Sequence, residues 1–341
     1  YIDKGTVFKQ NIQNKPMLKA FREKAGRFSG GNEYVSLAVK SGQGGHVLAG
    51  FSGDDQLAFS NSTGIKRVKW AWKEHHIGQK VTHTELKVDG IDVVENGSDQ
   101  STREMSGREA HALANILDEK NAELKEDFDA GEEELIHTDG TADAKALAGI
   151  TSLILEAPNA GSTGGLSRVA NSWWRNRAAT AANSASQDKI TSASTGGGVL
   201  ISFLDKEIRQ LARYAGGSEN LMWFAGSSWI DAYKSELRAN GYYSQSMSKD
   251  EGQPDGSMKD PLHAGHNIIY DPWMDDNGKS KFCYVIDMGR RGIRLLYMDG
   301  QRMKRHNPAR PYDRMVMYNG ITTTSVMVAR SLRSSAVYEI N

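Results

Sequence analysis

Residues 101–131, STREMSGREAHALANILDEKNAELKEDFDAG, decide how the rest of the chain is read. Ser101 followed three residues later by Glu104 has the form of a capping box, which satisfies orphan N–H groups at a helix start. Leu113, Ile116, Leu117, Leu124 and Phe128 then recur every three or four residues and make one apolar stripe. Gly131 supplies a stop. The other faces carry Asp118, Glu119, Glu123, Glu126, Asp127 and Asp129. The pattern predicts a long spine helix, packed along one narrow face and acidic on the others. An ordinary amphipathic surface helix has the same pattern, so its meaning comes from its surroundings.

On the amino side, residues 28–88 read as β. Tyr34, Val35, Leu37 and Val39 form one apolar-rich strand, and Ile65, Val68, Trp70 and Trp72 form another. Between them lies SGQGGHVLAGFSGDDQLAFSNSTG (41–64), too rich in Gly, Ser and Asp to bury much surface within its own chain. The expectation is a long hairpin standing away from the body. Strands over 81–88 and 91–94 flank the turn Asp89-Gly90 and lead into the spine. Residues 1–27 lack a core-forming pattern and read as an extended arm with one short helix near 17–24.

On the carboxyl side, 150–155 reads as a short strand, ended by Pro158 and the Gly161–Gly165 loop. A second helix is expected over 198–214, with Leu200, Leu204, Ile208 and Leu211 on one face and Gly216-Gly217 as its stop. A buried-type strand over 221–225 and a helix over 229–240, capped by Ser227 or Ser228, complete a compact α/β module. Strands follow at 267–270, 281–287, 293–298 and 315–318, with a hairpin turn at 289–292. The last segment, 322–340, reads as one long final strand.

The totals exclude several classes. The 341 residues hold 42 basic and 42 acidic side chains, so net charge points to no partner. Cys283 is the one cysteine, which rules out internal disulfides and a cysteine-rich zinc site. No apolar run is long enough to span a bilayer and no signal peptide is visible, so a soluble chain made in the cytoplasm is expected. The sequence opens at Tyr1, which leads us to expect residues upstream of it. The charge is unevenly placed. Residues 1–30 hold seven basic groups against two acids, 118–134 nine acids against two lysines, and 286–315 eight basic groups against three acids. Opposite patches suit self-association, and equally suit salt bridges within one subunit.

Catalytic and ligand signatures are missing. Gly161–Gly165 and Thr195–Gly198 look like phosphate cradles, but neither has the GxxxxGK[ST] spacing. The second sits at a helix start, where weak anion binding is physically reasonable. His75-His76 with His83, and His263 with His266, are the tightest groupings of possible ligands. Adjacent residues on a strand point to opposite faces, so His75 and His76 cannot share an ion there. Cys283 sits in an apolar strand, where a thiol is an inert small hydrophobe. No GxSxG, HExxH or CxxC occurs. No enzyme, metal or cofactor is expected.

The order of elements carries the signal: basic arm, Gly-rich hairpin, acidic spine, α/β module, long terminal strand. With the segments GGLSRVANSWWRN (164–176), HNIIYDPWMDDNGKSKFCYVID (266–287) and SVMVARSLRSSAVYEI (325–340), it resembles the major capsid proteins of tailed double-stranded-DNA bacteriophages. The resemblance implies an α+β, Hong Kong 97-type capsid fold. Residues 1–27 would be the N-terminal arm, 28–85 the extended E-loop, 86–194 the P-domain with its spine, 195–310 the A-domain, and 311–341 strands returning to the P-domain. They would pair near 81–94 and 150–156. An upstream segment would be a scaffold removed on maturation.

It further implies a virion protein, synthesised in the host bacterial cytoplasm, that assembles with itself as hexamers and pentamers around packaged double-stranded DNA bound non-specifically. Scaffold, portal and decoration proteins would be the other partners, with no membrane. Candidate contacts to neighbouring subunits or the DNA backbone are Lys4, Lys9, Lys15, Lys19, Arg22, Arg27, Arg290, Arg291, Arg294, Lys304 and Arg305. Acidic candidates on the spine are Glu119, Glu123, Glu126 and Asp127. Some family members cross-link a hairpin Lys to a neighbour's Asn. Lys40 and Lys66 flank the loop here, but no matching Asn or catalytic Glu can be assigned, so a cross-link is not predicted. An encapsulin-like cargo shell and a soluble α/β enzyme are the alternatives.

Overall fold

The computed structural model describes residues 14–30, 33–42, 46, 48–57, 59, 61, 64–82, 84–85, 107–182, 199–216, 220–239, 261–306 and 316–340, with backbone alone for 107–118. In chain order the elements begin α1 (Pro16–Glu23), β1 (Gly26–Phe28), β2 (Tyr34–Lys40), β3 (Ile65–Ala71), β4 (Lys73–Thr82), α2 (Gly107–His137) and α3 (Ile150–Leu153). The small hairpin β5 (Ser162–Thr163) and β6 (Leu166–Ser167) follows, then a 3-10 turn at Ser172–Trp174 and β7 (Arg177–Ala179). Next come α4 (Val199–Ala215), β8 (Leu221–Ala225), α5 (Ser227–Ala239), β9 (Leu262–His263), β10 (His266–Tyr270) and α6 (Pro272–Asp276). The chain ends with β11 (Phe282–Asp287), β12 (Ile293–Met298), β13 (Lys304–His306), β14 (Val316–Ala329) and β15 (Ala336–Glu339).

Two sheets organise these parts. In the first, β14 pairs with β4 along one edge, from Thr82↔Val316 to Lys73↔Ser325. Its other edge carries β12 and β13, and β1 lies parallel beside β12. The strands expected at 315–318 and 322–340 are thus one strand up to Ala329. Asn319 and Gly320, between the two expected strands, are extended as well, with Gly320 facing Gly78 across the ladder. A Cβ on either glycine would lie 2.8 Å from the His76 ring, so the two bare positions make room for that imidazole. The segment does not run to 340 as one strand either. It turns at 330–335, and β15 crosses to the second sheet.

The second sheet has the order β7-β15-β11-β8-β10-β9. Trp223, Ala225, Cys283, Val285, Ala336 and Tyr338 face one core with Leu200, Leu204, Leu211, Trp229 and Tyr233 of α4 and α5. Phe224, Tyr284, Ile286 and Val337 face the other, larger core. A sheet covered on both faces explains why LMWFA and FCYVI are continuous apolar runs rather than alternating ones.

The remaining differences from the sequence reading have local causes. The spine does not stop at Gly131 but runs to His137. A mid-helix glycine costs about 1 kcal/mol relative to Ala, and the next turn buries Glu132, Glu133, Ile136 and His137. The capping box Ser101/Glu104 lies outside the described residues, as do the Asp89-Gly90 turn and the side chains of Leu113, Ile116 and Leu117. Leu124 and Phe128 are buried as expected. The strand expected over 81–88 ends at Thr82, and Thr84 and Glu85 are helical. The strand expected over 150–155 is the short helix α3. Ile150, Leu153 and Ile154 are buried at helical spacing, and Ser152 Oγ bonds back to Gly149 O at 2.6 Å.

Two segments expected to stand apart from the core join it instead. In α1, Met17, Leu18, Ala20 and Phe21 are buried in the large core. The base of the hairpin packs there too, because β2 and β3 alternate strictly enough to place Val35, Leu37, Val39, Val68 and Trp70 on one face. Beyond Lys40 the chain opens into the segment that is free of that packing.

Candidate assembly surfaces

The hairpin has a built base and an open tip. Ser41 N–H bonds Gly64 O at 2.8 Å where the strands part. Beyond it, Leu48, Phe51, Leu57 and Phe59 are exposed at 102, 71, 55 and 93%. Four large apolar side chains exposed along one loop are candidates for contact with a partner. The base is tied to the body in polar terms as well. Lys66 Nζ donates to Asn171 Oδ1 at 2.6 Å, and Lys69 N–H to Gly164 O at 3.1 Å.

That anchorage rests on GGLSRVANSWWRN. Arg168 is completely buried among neutral acceptors: Thr163 Oγ1 at 2.8 Å, Asn176 Oδ1 at 2.7 Å and Leu153 O. Burial, with Arg175 nearby, lowers its pKa to about 10. Asn176 clasps Leu155 on both sides, accepting its N–H and donating to its carbonyl. Trp174 Nε1 donates to Thr163 O at 3.0 Å. These residues form a knot under the hairpin rather than a catalytic constellation.

The acidic spine and the basic arm meet within the chain. Arg22 bonds Asp129 at 2.6 Å and also Glu132, whose other oxygen accepts Tyr297 OH at 2.7 Å. Burial alone would lower the pKa of Arg22, but the two carboxylates outweigh it and raise it. Of the other basic candidates, Lys15 is half-buried before α1. Arg294 is half-buried and donates to Lys24 O at 2.9 Å. Lys19, Arg27, Arg290, Arg291, Lys304 and Arg305 are exposed, and Lys4 and Lys9 lie outside the described residues. On the spine, Glu119, Glu123, Glu126 and Asp127 are exposed.

The possible ligand groups resolve into structure. The amino end of α4 is closed by Glu236 of α5, whose carboxylate takes the N–H groups of Leu200 and Ile201, each at 3.0 Å. The anion site suspected beside 195–198 is therefore supplied by the chain itself. His263 and His266 face each other across a two-residue ladder. Tyr233 OH meets His263 Nδ1 at 2.9 Å, and Asp205 lies 3.2 Å from Nε2. Burial pushes the Cys283 thiol far up, in keeping with an inert side chain. Sequence reading missed Glu132, Glu133 and His137, because it ended the helix one turn early. It also missed Asp271, which only the fold brings to them. No described helix is long and apolar enough to cross a membrane.

No protein-family model and no curated relative matches the sequence. Solved structures do. A chain of the cyanophage A-1(L) capsid asymmetric unit is 14% identical with a TM-score of 0.63, covering 99% of this chain and 96% of that one. A chain of the bacteriophage PhiM1 mature capsid gives 8% and 0.55 over 100% and 91%. A chain from the capsid of a native GTA particle gives 11% and 0.53 over 99% and 95%. At such identities the likeness is one of architecture, and over its whole length this chain has the fold of these capsid subunits.

Proposed function

We propose that this chain is the major capsid protein of a tailed double-stranded-DNA phage, a structural subunit rather than an enzyme. In this reading, copies assemble as hexamers and pentamers into an icosahedral shell around packaged DNA, with scaffold and portal proteins as further partners. The observation that carries it is the open hairpin tip, with Leu48, Phe51, Leu57 and Phe59 exposed beyond a firmly packed base. Burying four such side chains on a neighbour is worth about 6–12 kcal/mol gross, and ordering the loop takes much of that back. Contacts individually that weak hold a closed shell because each subunit repeats them.

The Hong Kong 97 domain plan belongs to the same proposal: arm 1–27, E-loop 28–85, P-domain 86–194, A-domain 195–310 and return strands 311–341. Of the basic candidates, the exposed Lys19, Arg27, Arg290, Arg291, Lys304 and Arg305 are open to neighbours or DNA phosphates. Such phosphate contacts would carry no sequence preference. Negative-stain electron microscopy of the full chain across a concentration series tests the reading. Closed shells or five- and six-fold rings are expected. A monomer that persists at high concentration with its scaffold supplied overturns it.

A further inference from the structure

Glu133 and His137 lie four residues apart near the end of α2 and so project from one face. Both are buried, and Asp271, completely buried, approaches them from the end of β10. His137 Nε2 lies 3.2 Å from Glu133 Oε1 and 3.2 Å from Asp271 Oδ2. Among the described residues this is the one trio of His, Cys, Asp or Glu whose ligand atoms all fall within 4.8 Å of one another.

Each ligand is held from behind. Asp271 Oδ1 accepts Trp273 N–H at 3.1 Å, and Glu133 Oε2 accepts Leu18 N–H at 2.9 Å. Trp273 stacks on the imidazole with ring centroids 4.2 Å apart and planes 8° from parallel. Such outer contacts are what fix metal ligands in orientation. One atom remains without its share: Asp271 Oδ2 makes no hydrogen bond, and its contact with the imidazole lacks the alignment of one. One imidazole nitrogen facing two buried carboxylates carries too few donors to satisfy them.

We propose that Glu133, His137 and Asp271 bind a divalent cation that clamps the spine helix to the second sheet. Metal–ligand bonds of about 2.0–2.2 Å place neighbouring ligand atoms roughly 2.8–3.6 Å apart around an octahedral or tetrahedral ion, a range that contains both nitrogen–oxygen separations. One imidazole with two carboxylates suits Zn2+, Mn2+ or Fe2+. The hard Ca2+ and Mg2+ favour all-oxygen sites and soft ions favour thiolates. Water would complete the coordination. Through Leu18 the clamp also reaches α1, so one ion joins three segments distant in sequence. The inference rests on local geometry and stands whether or not the chain builds a shell.

The test uses the full chain, stripped with a chelator, reloaded with Zn2+ and desalted. About one zinc per chain should be retained, and the unfolding midpoint should rise by about 4 °C at a free Zn2+ concentration a hundredfold above Kd. Asp271→Asn keeps a side chain able to cap α6 but loses the charge, and His137→Gln loses the nitrogen. Each should abolish both the retention and the rise. X-ray absorption of the loaded wild-type protein should report a single imidazole among oxygen donors, which keeps the proposal testable if a variant misfolds. No retained zinc, retention unchanged in both variants, or two or more imidazoles at the ion would overturn it.

Discussion

Glu236 Oε2 accepts the backbone N–H of Leu200 at 3.0 Å, and Oε1 takes Ile201 N–H at the same distance. A carboxylate on one helix thereby closes the positive end of another. Glu236→Ala would strand one buried and one part-buried donor at a helix terminus, and a loss of about 2 kcal/mol follows. Glu236→Gln, which keeps one acceptor, should lose about half of that. Chemical denaturation of the subunit under non-assembling conditions measures both. Equal stability of Glu236→Ala and wild type would refute the cap.

Arg177 and Glu207 form a two-pronged bond at 2.5 and 2.7 Å, and Tyr338 OH adds a third contact to Glu207 at 3.0 Å. Removing the acid alone leaves a part-buried guanidinium unpaired, so Glu207→Ala should cost about 3–5 kcal/mol. The double variant Glu207→Leu with Arg177→Met should recover most of the loss. If the double variant is as unstable as the single one, packing rather than charge governs the site.

Gly149 is fixed by its neighbours. A Cβ there would lie under 3.0 Å from the carbonyl oxygens of Leu135, Ile136 and Thr138, all backbone atoms that cannot swing away. Gly149→Ala should destabilise by about 3 kcal/mol or more and loosen the end of the spine. Hydrogen exchange of the 132–138 amides is the readout. Exchange as slow as in wild type would show that the turn can yield.

The pKa of His75 and that of His263 are both held below the ordinary value of 6.5, chiefly by burial. Lys73 adds to the effect at the first and His266 at the second, against opposition from Glu132 and Asp205 respectively. The unfolded chain therefore binds protons before the folded one does. Stability from these groups is full above about pH 6.5 and declines as pH falls through that value, until the folded imidazoles have also titrated. Burial alone would lower the pKa of His137, but Asp271 and Glu133 outweigh it and raise it, which acts on stability in the opposite sense. The readout is therefore the comparison: over pH 7.5 to 5, His263→Gln should lose less thermal stability than wild type. An unchanged slope in that variant would place the titration elsewhere.

Phe51 and Phe59 are largely exposed in the isolated subunit. Phe51→Ser with Phe59→Ser should leave its melting temperature within about 1 °C while lowering the yield of closed shells at least several-fold. A melting loss comparable to a core substitution would mean that the tip folds back on the body.

Much of this architecture is legible in the sequence, and the exceptions have causes. β12 is found at 293–298 residue for residue, and α4, β8 and α5 agree within a residue or two, because apolar period and Gly or Ser punctuation coincide there. Gly131 misled because tertiary burial outweighed local preference. The acidic candidates on the solvent side of α2 were visible as charge. Asp271 was not, since nothing local joins a residue after β10 to the end of a helix far upstream. The buried base of the hairpin shows in its alternation, whereas the exposure of Phe59 is a property of the assembled fold.

The ladder between β4 and β14 also sets a schedule for synthesis. Its two strands come from the first quarter and the last tenth of the chain, and β1 waits for β12 in the same way. At about 5–20 residues per second, roughly 10–50 s separate the emergence of Thr82 from that of Val316. Throughout that interval the nascent chain displays an unpaired strand edge next to the greasy hairpin. On a polysome crowded with identical chains, like strands are the nearest available partners. Yield of the protein in the cell is thus tied to how well ribosome-bound chaperones shield the 30–82 segment until translation ends.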